Sequence, residues 1–488
     1  MPQETSLKIL ASMPVAQRAR LPLFDNAHPA YQRHVSAAIR EVMSSPDTTG
    51  ETVALKREIL INAINTGQLE NSELFGRPLC LTSVDLTRLN LSGMDLSGAN
   101  LANANMQELN LTRVKLKGAN LREANLTDAN LVGVDLTKAV LVQARLDNAE
   151  MSDVNLTGAA CQRANFDGTK LSRAILSGAT LAGADFVEAN LVGVHFDRLD
   201  LTGVRFAKAK LDRATFCKCN LSGADFSGAT MPYADLSAAH IDHTRLAHAN
   251  LFQANLSRLD LRSAELHGAS LEEADMSWTW LTNKDLRLVR LGSTNLSHAN
   301  LEGANLSGLN LRDNNFECSR LVRVNFSGAN LSGLRLQGLD LSNAILRGAI
   351  MSHVNLTGAV LERIDFSNAE MDGAELSRTD LRGLNFTKAK LMGTKLVGAC
   401  MEGSILDGAN LTRAQLNLAN LVGARMHGTN VECLKLQGTK LHRIEPAAMG
   451  ARLKSQQIAQ LQEQLQRLVS PRVGERNIEM KRMEKKSK

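Results

Sequence analysis

Cys217-Lys218-Cys219, the histidines His240, His243 and His248, and the many Asp and Glu side chains are the residues whose types could hold a metal or move a proton. Their spacing argues against both. In the register of the repeating unit described below, Cys219 takes an inward position and Cys217 an outward one, so they cannot close one tetrahedral site without breaking the wall. The three histidines fall on different sides of the repeating unit described below, and a solvated surface is the reading they support. No stretch reads GxxxxGKS/T, HExxH, GxSxG or a paired CxxC. Carboxylates scattered over a regular surface without a cleft have nothing to desolvate them or shift their pKa values. The sequence therefore predicts no catalytic residue, no cofactor, no metal and no small-molecule substrate.

Aromatic side chains are only 3% of the residues, so exposed ones stand out. Trp278 and Trp280 flank Thr279 at outward positions, Phe252 is also outward, and 20 residues before it its stacking position is Pro232 beside Tyr233. On a surface of Asn, Ser, Thr and charges these four rings are candidate anchors for a protein partner; local packing over a corner is the alternative. A second candidate is cationic. Lys481, Arg482, Lys485 and Lys486, with Arg472, Arg476 and Lys488, form a basic end that is either solvated or a binding site for an anionic membrane surface. Nucleic acid is the less favoured partner.

These residues are positioned by a repeat. From Leu81 to Leu441 every fifth residue is Leu, Phe, Met, Ile, Val or, once, Cys161, without a slip of register. Two positions earlier the residue is usually small, the intervening one is often Asn or Asp, and Gly is frequent two residues later, as in Ala99-Asn100-Leu101 and Ala184-Asp185-Phe186. A period of five suits neither a helix nor a long strand. Each unit is a short extended piece with a bend, its large and small residues inward and the other three facing solvent. The backbone groups of such a coil point along its axis, where only the next coil can satisfy them.

The number of sides follows from the phenylalanines. Phe166, Phe186, Phe206, Phe226, Phe326, Phe366 and Phe386 differ by multiples of 20, Phe196, Phe216 and Phe316 likewise, and the two sets are offset by ten. With four sides per coil all of them lie on two opposite walls, the first set forming an interior ladder. Met151, Met231, Met351 and Met371 also share one wall. The tandem Ala-Asn-Leu-x-Gly units resemble the pentapeptide-repeat family over about three quarters of the chain. That resemblance implies an all-β solenoid, a right-handed quadrilateral β-helix. Two departures are apolar residues before the large position (Ile175, Ile345, Ile350, Ile405) and basic ones there (Lys390, Lys395, Lys435, Lys440).

The flanks are helical. Val35, Ala38, Ile39 and Val42, then Val53, Leu60, Ile61 and Ile64, recur at helical spacing, with Ser44-Ser45-Pro46-Asp47 between them. The expected organisation is a flexible N-terminus over 1–28, a helical N-terminal cap over 29–80, the β-helix over 81–445, an amphipathic helix over 446–470 (Ile458, Leu461, Leu465, Leu468) and a basic tail over 471–488. A cap covers what is otherwise an open sheet edge. No apolar run is long enough to span a membrane and no Sec signal is apparent; the seven scattered cysteines read as reduced thiols.

Charge separates the candidate functions. Of 56 basic and 50 acidic residues, positions 1–80 hold 8 and 8 and positions 446–488 hold 10 and 4, which leaves 38 and 38 for residues 81–445. A DNA-mimic inhibitor of gyrase or another topoisomerase, which one branch of the family would imply, needs a dense negative face, and a neutral repeat disfavours it. An ice-binding or adhesive wall needs one uniform Thr or Ser face, which the mixed outward positions lack. The favoured expectation is a non-enzymatic interaction rod. By architecture it is similar to bacterial pentapeptide-repeat effectors secreted by a type III route, which implies a bacterial cytoplasmic origin and export to a host cell.

Overall fold

The computed structural model describes residues 29–65 and 79–443; the predicted flexible N-terminus, C-terminal amphipathic helix and basic tail, with Lys481, Arg482, Lys485 and Lys486, lie outside the described residues. The described residues fall into two compact units. One runs to Thr279 and includes Leu288–Arg290; the other holds Trp280–Arg287 and the residues from Leu291 on.

Helices α1 (Pro29–Ser44) and α2 (Gly50–Asn65) precede the repeat. Thr49 opens α2: its N–H and hydroxyl donate to the Asp47 carboxylate (3.0 and 3.1 Å), which also accepts the Thr52 hydroxyl at 2.8 Å. These bonds hold the Asp47 carboxyl below its usual range, the Thr49 N–H contributing most. On α1, Ala38, Ile39, Val42 and Met43 are buried. On α2 the buried face is Leu55, Ile59, Leu60 and Ala63, whereas Val53, Ile61 and Ile64 are only half-buried. The expected face is thus turned by about one residue, and it includes Lys56. Its side chain is fully buried and its Nζ donates to the Ser45 carbonyl at 2.6 Å, so an apolar stem occupies a core position that hydropathy assigns to solvent. Burial lowers the Lys56 pKa.

The helices dock on the first coil. The Cys80 N–H donates to the Met43 carbonyl at 2.6 Å, and Arg57 donates to the carbonyls of Asp85 (2.7 Å) and Thr87 (3.3 Å). From there most sides of a coil contribute one paired residue, and each bridge is parallel and joins a residue to the one 20 positions on, from Cys80↔Asn100 to Asn420↔Lys440. The pairing is a set of isolated bridges rather than strands of ordinary length. A typical side is held by Leu101 N–H to Asn120 O (2.7 Å) and Asn120 N–H to Ala99 O (2.8 Å), and its corner by Ala104 N–H to Leu101 O (3.0 Å). The third residue of that corner turn has positive φ, as a type II turn requires, and this is why Gly recurs there; at Gly98 φ is 67°. Arg173 (φ 59°) and Leu418 (φ 61°) adopt the same conformation without glycine's freedom.

The interior is the predicted one. Leu, Phe and Met at every fifth position are fully buried almost throughout, with Ala, Val and Thr two residues earlier. Phe166, Phe186, Phe206 and Phe226 stack with ring centroids 4.7 to 5.3 Å apart, and Phe196 stacks on Phe216 at 4.9 Å. The two walls also touch, because Phe206 meets Phe196 and Phe216 edge-on at 5.5 and 5.8 Å. In the second unit Phe366 stacks on Phe386 at 5.0 Å and Phe326 meets Phe316 edge-on at 6.1 Å. Where Leu fills the small inward slot, at 109, 199 and 259, pairing to the preceding coil lapses on that side, although Leu384 and Leu434 keep theirs.

Phe206 has ring neighbours on four sides, so Phe206→Asp removes a stacked ring, on the order of 3–5 kcal/mol by itself, and places an unpaired carboxylate in a dry wall. A large fall in the urea midpoint is expected; an unchanged midpoint would put Phe206 outside the core.

Candidate functional site

Asn and Asp at the position before the large residue are committed to the fold. Their Oδ1 accepts the N–H two residues on, as in Ala102 N–H to Asn100 (3.2 Å) and Ser227 N–H to Asp225 (2.9 Å). They also stack: Asn120 Nδ2 donates to Asn100 Oδ1 and Asn125 Nδ2 to Asn105 Oδ1, both at 3.0 Å. Such residues are half-buried rather than fully facing solvent, because the corner turn draws them onto its free N–H. That is a correction to three solvent-facing positions per unit.

Charged side chains pair across neighbouring coils. Arg173 meets Asp153 at 2.7 Å, Arg205 meets Asp185 at 2.5 Å, Lys208 meets Glu188 at 3.0 Å and Arg245 meets Asp225 at 2.8 Å; Lys170 pairs with Glu150 and Lys390 with Glu370. The carboxyls are therefore not unshifted, as the regular surface led one to expect. Burial pushes Asp225 up, but bonds from Arg245 and from the Ser227 hydroxyl and N–H outweigh it and leave its pKa at about 2. Arg262, Arg287 and Arg382, each two residues on, hold Asp260, Asp285 and Asp380 below the usual range by bidentate contacts. Asp167 is raised, by burial and by its neighbours Asp185, Glu188 and Asp147. This local concentration of carboxylates is countered by Arg145 (3.5 Å from Asp147), Arg205 and Lys208.

The thiols and imidazoles do not converge. Cys217 is half-buried and Cys219 buried, with its Sγ donating to the Phe196 carbonyl at 2.8 Å. Burial pushes the Cys219 and Cys161 thiols up to about 12, so both are inert at neutral pH. His248 packs edge-on against His267 at 5.3 Å, while His243 lies 3.8 Å from Asp242. Among the described residues no three His, Cys, Asp or Glu are placed to hold a metal ion, and no helix is long and apolar enough to cross a membrane.

The aromatic candidates fare differently. Tyr233 and Phe252 meet edge-on at 6.0 Å, and the Arg213 guanidinium lies over the Tyr233 ring at 5.3 Å, forming one patch in the first unit. Tyr233 is 47% exposed and Phe252 half-buried beside it. Trp278, at a turn of the first unit, is 52% exposed; Trp280, in the second unit and paired to Asn300, is 50% exposed. Sequence reasoning missed Arg213, whose place one coil before Tyr233 was the available signal. It also missed Leu288 and Leu418, exposed by 63% and 69%; an apolar residue in the third turn position marks both.

Asp225 yields a pH prediction. Folding depresses its pKa from 3.8 to about 2, so its stabilisation is complete above the unfolded value and is lost as pH falls through that interval. Thermal unfolding of the parent between about pH 4 and 2 is expected to fall more steeply than that of Asp225→Asn; parallel curves would refute the assignment.

A family model described as pentapeptide repeats matches residues 80–158, 219–287 and 290–443 in overlapping copies, and one described as a pentapeptide repeat region matches 149–226. Among solved structures the chain is similar to a pentapeptide repeat protein of the Arabidopsis thaliana thylakoid lumen, with 31% identity, coverage of 20% of this chain and 70% of that one, and a TM-score of 0.20. It is also similar to HetL, a pentapeptide repeat protein involved in heterocyst differentiation regulation from the cyanobacterium Nostoc sp. strain PCC 7120 (29% identity, 53% and 91% coverage, TM-score 0.16). A third is QnrB1, a plasmid-mediated fluoroquinolone resistance protein (18% identity, 56% and 97% coverage, TM-score 0.21). No curated protein matches. Superpositions this partial add nothing to the assignment, which rests on the repeat models and on the 20-residue pairing of the backbone. The chain belongs to the pentapeptide repeat family.

Proposed function

We propose that the chain is a non-enzymatic interaction protein that recruits a protein partner through the surface of its solenoid. The observation that carries this reading is the Arg213–Tyr233–Phe252 patch, an exposed cation–aromatic cluster on a surface otherwise built of polar and charged residues. Tyr and Arg are the side chains that most often dominate interface energetics. Trp278 and Trp280 are further anchors on the same argument. In this reading the repeat is a right-handed quadrilateral β-helix, the hand favoured for parallel crossovers of L-residues, and α1 and α2 cap its first coil through Cys80 and Arg57. The finer part is a bacterial effector exported by a type III route, with Lys481, Arg482, Lys485 and Lys486 adding contact to an anionic membrane. It is supported by architecture and composition. Gyrase inhibition is disfavoured by the 38 charges of each sign in residues 81–445 and by their pairing between coils.

The test is affinity capture from bacterial and eukaryotic lysates in parallel, with the full chain, Tyr233→Ala/Phe252→Ala, Trp278→Ala/Trp280→Ala, and a variant with the four tail cations changed to Gln. A partner whose affinity for the aromatic variants falls about 30-fold, the effect of losing a hot spot worth about 2 kcal/mol, is the expected result. Capture of a topoisomerase equally by all four chains would contradict the proposal and favour DNA mimicry.

A further inference from the structure

In the first unit one side of the solenoid differs from the others. This wall runs from the corner at Thr112-Arg113 through Lys115 to the corner at Lys117-Gly118 and recurs every 20 residues. Among the described residues of that unit six large apolar side chains are exposed, and five of them, Val132, Ile175, Val192, Tyr233 and Trp278, lie on this wall; Leu288 does not. Phe252, edge-on to Tyr233 at 6.0 Å, adds to it.

Charge on the wall is polarised. Towards its start, Arg113, Lys115 and Lys117 are exposed and share their stretch of wall with no acid; Asp95 and Asp135 in the adjoining coils leave this end net positive. Eight coils further on, Glu272, Glu273 and Asp275 share theirs with no base. At about 4.8 Å per coil the two groups are roughly 40 Å apart. The seven coils between them place six basic and five acidic residues on the wall. Among the described residues no ion pair takes up Arg113, Lys115, Lys117 or Glu272.

We infer that this wall is the contact between two copies of the chain packed antiparallel. The inference rests on reading the Tyr233–Phe252 patch as a protein-docking surface and names its occupant, a second copy. A two-fold axis that lies in the wall and crosses the coil of Val192 keeps every residue in its own column and reverses the order of the coils. It sets Arg113 against Glu273 and Lys115 against Asp275 at both ends, Val132 against Phe252, Val192 against its own counterpart, and the exposed ring of Trp278 against Gly118. Rotation about an axis along the coil stack packs the copies in parallel and sets three cations against three cations and three carboxylates against three carboxylates. Charge complementarity therefore selects the antiparallel pair. Of the like charges that face each other in it, Arg173 is held by Asp153 at 2.7 Å and Arg213 lies over Tyr233 at 5.3 Å. Lys138 and Arg258 lie at the corner, where both can turn to solvent, and on the axis Asp197 of each copy lies beside Arg198 of the other.

The test is sedimentation velocity of the full chain over a concentration series. Expected is a monomer–dimer equilibrium that weakens as salt is added. Arg113→Glu and Glu273→Arg each raise the dimer dissociation constant about tenfold, and the two changes in one chain restore it, because the swapped pair again has opposite signs. Tyr233→Ala/Phe252→Ala raises it about tenfold or more. In a chain with Cys318 and Cys433 changed to Ser, Val192→Cys forms an intermolecular disulfide on oxidation, whereas Val132→Cys, six coils from its own counterpart, does not. A chain that stays monomeric at every concentration overturns the inference; if it still captures another protein through Tyr233 and Phe252, the recruiting reading survives. A dimer tightened or unchanged by Arg113→Glu, not restored by the double variant, indifferent to the ring changes, or cross-linked through Val132→Cys as readily as through Val192→Cys also overturns it.

Discussion

Backbone pairing between a residue and the one 20 positions on is the constraint from which the rest of this structure follows. A coil whose sides are single bridges cannot satisfy its own N–H and C=O groups, so each coil is only as stable as its neighbours make it. That requirement fixes the coil length, and the coil length fixes which side chains share a column. Phenylalanines spaced by 20 stack at about 5 Å because the backbone ladder sets their separation, not because aromatic attraction draws them together. The same ladder explains why inward volume matters: a Leu in a slot that usually holds Ala is accommodated at Leu384 and opens the side at Leu339.

The ladder also decides what the surface can do. Stacked coils bring like positions close together, so asparagines bond to asparagines and acids find bases one coil away. Many polar groups that could serve chemistry elsewhere are used to satisfy corners and to bridge coils. The exceptions to the pattern are a ring with a guanidinium over it and turn residues with apolar side chains.

Much of this was legible in the sequence because the period is strict. The walls bearing Phe166 to Phe226, the inward Cys219 and the outward Trp278 all follow from counting positions. The buried face of α2 was not legible, since Lys56 is scored as polar although its stem is core and its amine is bonded to Ser45. The shifted carboxyls were missed because the donors come from 20 residues away, as Arg245 does for Asp225, or from the corner turn.

Every statement about a shared column rests on the 20-residue stack, and excimer fluorescence tests it directly. With exposed Cys318 and Cys433 changed to Ser, pyrene is attached to cysteines placed at Asn105 and Asn125, which bond to each other at 3.0 Å, or at Asn105 and Lys115, which are half a coil apart. The account predicts strong excimer emission from the first pair and monomer emission from the second. Comparable excimer emission from both, or from the second pair alone, would contradict the stack.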